Sequence, residues 1–76
     1  MKHHSEIQAI LFDRHFYTKE QAEEYLNKHD YHPIKEIHQT ENRLRARLVD
    51  PRNFSHFIIH KIPHHVEFVI GFYEDA

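Results

Sequence analysis

Apolar positions along the chain follow two different periods. Ile7-Gln8-Ala9-Ile10-Leu11-Phe12 is short and apolar on both alternating faces, the pattern of a centrally placed strand. The polar residues 1–6 ahead of it are expected to form a flexible N-terminus, and residues 7–76 a single small domain. A helical period then takes over. Ala22, Tyr25, Leu26 and His29 recur at i, i+3, i+4 and i+7, one narrow stripe that predicts a helix over 18–29. Thr18-Lys19-Glu20-Gln21 fits a capping box, in which the Thr18 hydroxyl and the Gln21 amide each satisfy a backbone N–H of the first turn. Glu24 and Lys28 form an i,i+4 pair oriented to suit the helix dipole, and Pro33 ends the helix near His29 or Asp30. His29, lying on the stripe, is expected to be a buried, hydrogen-bonded imidazole.

Beyond Pro33 the period shortens to two. Ile34 to Gln39 and Arg43 to Val49 read as strands joined at Thr40-Glu41-Asn42. Asp50-Pro51-Arg52-Asn53 is a turn, with the proline presetting its second position. Phe57 to Ile62 and Val66 to Tyr73 make a hairpin across Pro63-His64-His65, and Val66, Phe68, Ile70 and Phe72 share one face of its second strand. The expected fold is α+β: a single helix packed on one face of a mostly antiparallel four- to five-stranded sheet, in the order β-α-β-β-β-β. Its core should set Ala22, Tyr25 and Leu26 against Ile7, Ala9, Leu11, Phe68 and Ile70.

The order of residues also resembles a small module of bacteriophage and large DNA-virus proteins. The matching residues are Tyr17-Thr18-Lys19-Glu20-Gln21-Ala22, Tyr25-Leu26, Lys28-His29, Thr40-Glu41-Asn42, Arg45-Ala46-Arg47, Asp50-Pro51, Phe54, Phe57 and Val69-Ile70-Gly71-Phe72. The module occurs in phage head-maturation (prohead-protease) proteins and as free-standing short viral proteins. The resemblance spans about residues 7 to 73. Ile58 and Ile59 stand where the module carries arginine and threonine. The resemblance implies a viral origin, with a location in the host cell cytoplasm or the virion, and it carries no established activity.

Composition narrows the chemistry. With 39% hydrophobic and 29% charged residues, the 76-residue chain reads as globular, near the lower size limit for a self-sufficient core. The absence of cysteine excludes disulfides and thiolate metal sites, and a single glycine, Gly71, excludes glycine-rich phosphate loops. No apolar run is long enough to span a membrane, no signal peptide opens the chain, and no membrane partner is expected. The only serines are Ser5 and Ser55, neither in a nucleophile-elbow context; Ser55 and His56, as strand neighbours, are expected to point to opposite faces. The chain is therefore expected not to be an enzyme and to need no cofactor.

Ten histidines are scattered through the chain. Of these, His29, His32, His60, His64 and His65 lie near enough in sequence to be metal-ligand candidates, yet neither group has the spacing of an established site, and no metal is assigned. The more specific feature is the alternation of Arg43, Arg45 and Arg47 with Leu44, Ala46 and Leu48, which places an arginine ladder on one strand face. Arg52 extends it, while cross-strand carboxylates such as Glu36 and Glu67 are positioned to neutralise it. Phe54 and Phe57 follow the turn, and six phenylalanines with four tyrosines exceed what one helix on one sheet needs. Arg43, Arg45, Arg47, Arg52, Phe54 and Phe57 are accordingly the candidate partner-binding residues. With a net charge of -2, a protein partner or self-association, as a homodimer or larger, is favoured over nucleic acid. The alternatives are a small nucleic-acid-binding protein using the arginine face and a viral inhibitor of a host defence complex.

Overall fold

The computed structural model describes residues 5–73. It comprises strand β1 (Ser5–Asp13), helix α1 (Lys19–Lys28), β2 (His38–Gln39), β3 (Arg43–Arg47), a short 3-10 turn (Pro51–Asn53), β4 (His56–Ile62) and β5 (Val66–Phe72). All pairings are antiparallel and the strand order is β2-β3-β1-β5-β4, so the single helix packs on one face of a five-stranded sheet. This is the α+β architecture expected. Ser5 and Glu6 are already paired with Phe72 and Gly71, so β1 starts ahead of the expected domain boundary. Residues 1–4 of the expected flexible N-terminus lie outside the described residues.

The capping box forms as read: the Gln21 N–H donates to Thr18 Oγ1 at 3.1 Å and the Thr18 N–H to Gln21 Oε1 at 2.9 Å. At the other end, Asp30 adopts φ 61° and the Tyr31 N–H reaches back to the Leu26 carbonyl at 2.8 Å, a left-handed cap that a short polar side chain tolerates. His29 is exposed and rests on Tyr25, with ring centroids 4.3 Å apart, rather than entering the core as expected. The helix is one residue shorter than its apolar stripe, so the last stripe position falls on the cap.

The core differs from the expectation in two respects: Ile70 lies outside the core cluster, and the β1 residues that face the helix are exchanged. Ile10 and Phe12, not Ala9 and Leu11, face Ala22 and Leu26 across the sheet–helix interface, with Ile7, Leu44, Ala46, Val66 and Phe68 around them. The cause is a β-bulge: Ile7 pairs with Ile70 but Ala9 with Val69, leaving Gln8 as the extra residue. One inserted residue inverts the alternation, so Ile7 shares the helix side with Ile10 and Phe12 while Ala9 and Leu11 pass to the other face. Gln8 is fully buried. Its Nε2 donates to the Val49 carbonyl at 2.8 Å, and its backbone carbonyl accepts from the Leu48 and Val49 N–H groups at 2.8 and 3.2 Å. The bulge therefore fastens the exit of β3 to the centre of the sheet.

The expected strand over Ile34 to Gln39 pairs only at its last two residues. Ile34 N–H donates to the Arg47 carbonyl at 2.8 Å, while His38 pairs with Arg45. Four residues of one chain thus span two of the other, and the surplus at Lys35-Glu36 breaks the ladder while Ile37 turns into the core.

This packing makes a directional prediction. Leu26→Ala and Ile10→Ala should each cost about 2–5 kcal/mol, because both sites are closed on all sides. Leu11→Ala should cost less than either, since Leu11 lies on the half-open face. Urea unfolding measures all three; a Leu11 loss equal to that of Ile10 would contradict the bulged register.

Candidate interaction surface

The face opposite the helix carries both expected groups of partner residues. Arg43, Arg45 and Arg47 pair with Asp13, Leu11 and Ala9 of β1, which puts the three guanidinium stems on that face, as their alternation predicts. Their charge is partly spent. Arg43 Nε donates to Glu67 Oε1 at 3.1 Å, and Lys61 Nζ lies 4.0 Å from the other Glu67 oxygen, so one largely buried carboxylate serves two cations. Glu67 thereby fills the neutralising role expected of it. Among the described residues no carboxylate pairs with Arg45 or Arg47, and Arg45 Nε is buried with no hydrogen-bond partner. Arg52 stands apart on the 3-10 turn, forked onto Asp50 with Nη2–Oδ2 at 2.8 Å. The guanidinium bonds and the Arg52 N–H hold the Asp50 carboxyl down at about 2.

The aromatic candidates separate. Phe54 is only 9% exposed; its ring covers Gly71 and meets Phe57 and Tyr73 at centroid distances of 5.7 and 4.8 Å. It belongs to the packed layer of this face rather than to a partner-facing surface. Gly71 makes this possible, because a Cβ there would overlap the Phe54 ring. Phe57 remains 42% exposed.

Its neighbours Ile58 and Ile59 are 48% and 58% exposed, on opposite faces of the same strand. All of β4 except Ile62 is exposed. The strand lies at the sheet edge, paired on one side only, and of its side chains only Ile62 packs against the core beneath the helix. The candidate residues chosen from the sequence omit Ile58 and Ile59. The run Phe57-Ile58-Ile59 lacks polar alternation and so reads as a strand covered on both faces; its exposure follows only from the strand order.

The remaining candidates stay dispersed. His32 Nε2 contacts Asp30 Oδ1 at 3.0 Å, His60 sits on β4, and His64 and His65 occupy the hairpin turn at φ 72° and 65°. His65 stacks flat on Phe16 at 3.5 Å. Among the described residues no three His, Asp or Glu side chains gather around one point. Ser55 and His56 do not diverge as expected: Ser55 precedes β4, outside the alternation, and its Oγ lies 3.2 Å from His56 Nδ1. The same hydroxyl donates to the Phe72 carbonyl at 3.1 Å, and no carboxylate among the described residues orients His56. The pair therefore lacks the base-orienting group that makes a serine nucleophilic. A shallow depression near the hairpin turn holds Asp13 and Glu67, but both serve as ion-pair or hydrogen-bond acceptors. The His15 N–H at 2.8 Å lowers the Asp13 carboxyl below its usual value, which suits an acceptor and not a proton donor.

No helix among the described residues is long and apolar enough to cross a membrane. No known protein family, curated protein or solved structure matches the chain.

Two measurements check this surface. Gly71→Ala should destabilise the fold by about 1–3 kcal/mol, because Phe54 must leave its seat; an unchanged urea midpoint would contradict the packing. The Asp50 carboxyl, followed by NMR, should titrate near 2, and Arg52→Ala should return it towards 3.8. A depressed carboxyl stabilises the fold above its ordinary value, so this contribution should vanish as pH falls from about 4 through 2.

Proposed function

We propose that this chain is a non-enzymatic accessory or structural module of viral origin that acts by associating with protein. The origin rests on the resemblance to the phage and large DNA-virus module. The mode of action rests on one observation: β4 offers an unpaired backbone edge together with three large apolar side chains exposed by 42–58%. Such an edge accepts a further strand, the added main-chain hydrogen bonds giving affinity and alternate side chains giving selectivity. The ladder Arg43, Arg45 and Arg47 favours a second reading, nucleic-acid binding, because three cations share one face. Arg43 is already held by Glu67 and Arg52 stands apart on Asp50, so only Arg45 and Arg47 of the four arginines are left for phosphate binding.

A photo-crosslinking residue at Ile59, in cells expressing the chain, should give a discrete adduct with polypeptide. The same residue at Glu23, on the exposed side of the helix, should give none. Equal labelling from both positions, or none from Ile59, would overturn the association reading. Retention on mixed-sequence DNA or RNA at physiological salt, lost on Arg45→Ala with a shallower salt slope, would instead establish the second reading.

A further inference from the structure

We propose that the partner of β4 is the β4 strand of a second copy of this chain, joined antiparallel across a dyad at Ile58 into a continuous ten-stranded sheet. This rests on the association reading above and names its occupant.

The two edges of the sheet are unequally protected. The β2 edge is two residues long, and the chain before it is broken by Pro33 and by the surplus at Lys35-Glu36. The β4 edge is seven residues, about 23 Å of strand, without proline or bulge and with Lys61 as its one fixed charge. An edge this long and apolar has the character of an interface strand.

Symmetry then restricts the register. A dyad normal to the sheet keeps each face on its own side, so a residue can oppose only another of the same face. In β4, His56, Ile58, His60 and Ile62 share the helix side, while Phe57, Ile59 and Lys61 share the other. A dyad at Ile58 sets Ile58 against Ile58 of the second copy and Phe57 against Ile59, in both directions. Every strongly exposed apolar side chain of the strand then meets another. Lys61 falls opposite Ser55, which keeps the two ammonium groups near opposite ends of the strand pair. A dyad at Ile59 would instead set Phe57 against Lys61, which covers less apolar surface. The Ile58 register also puts both helices on the same side, where Ile58 is uncovered by its own helix. The self-complementarity of the strand thus favours a second copy over an unrelated partner.

Sedimentation of the purified full chain at about 100 µM, a concentration suited to a small edge interface, should give twice the monomer mass of 9.4 kDa. Ile58→Lys and Ile58→Asp should each weaken the dimer at least tenfold, because like charges then face each other across the dyad. An equimolar mixture of the two should restore a dimer. Phe57→Lys mixed with Ile59→Asp should do the same, and provides the test should either position-58 variant fail to fold by circular dichroism. A wild-type chain that stays monomeric overturns the second copy, while the Ile59 crosslink still decides association with another protein. Variants that remain dimeric alone, or mixtures that stay monomeric, overturn the β4 contact at Ile58.

Discussion

The buried bulge at Gln8 is the constraint on which the rest of the fold depends. An alternating strand presents one set of side chains to the helix and the other to the open face, and a single inserted residue exchanges the sets from that point on. Here the exchange gives the helix the larger pair, Ile10 and Phe12, and leaves Ala9 and Leu11 under the arginines. Gln8, the inserted residue, is held in place by its side-chain bond to Val49 and by the two N–H groups that converge on its backbone carbonyl. Because β1 is the central strand, the same register fixes which sides of β3 and β5 are buried.

The proposed association rests on how the two halves of the sheet are covered. The helix and the irregular segment before β2 close one flank, and Phe54 folded over Gly71 closes part of the open face. On β4, Phe57 meets Phe54 and Ile62 packs on the core, yet Phe57, Ile58 and Ile59 stay 42–58% exposed. A domain of this size buries a smaller fraction of its surface than a larger one does, so strand pairing would add stability as well as specificity. In the arginine ladder Glu67 neutralises only Arg43, and among the described residues Arg45 and Arg47 have no carboxylate partner.

Much of this was readable from local chemistry. The Thr18–Gln21 box, the end of the helix near His29 ahead of Pro33, the hairpin at Pro63-His64-His65 and the common face of Arg43, Arg45 and Arg47 each depend on residues adjacent in sequence. What was not readable depends on distant pairing. Ala9 and Leu11 look like core by alternation, and only the pairing of Ile7 with Ile70 and Ala9 with Val69 reveals that Gln8 is the extra residue. Phe54 looks like a free aromatic until Gly71, seventeen positions away, is placed beneath it. Ile58 and Ile59 look like interior strand residues, and become a surface because the strand order leaves β4 outermost.

Amide hydrogen exchange resolved by residue, as a function of protein concentration, tests the use of this edge most directly. In an isolated chain the β4 N–H groups that point away from β5 are open to water, whereas pairing with a further strand protects them. Protection of alternate amides across His56–Ile62 that grows with concentration, while β2 remains unchanged, is the result the account predicts. Fast exchange of those outward amides at every concentration would contradict it.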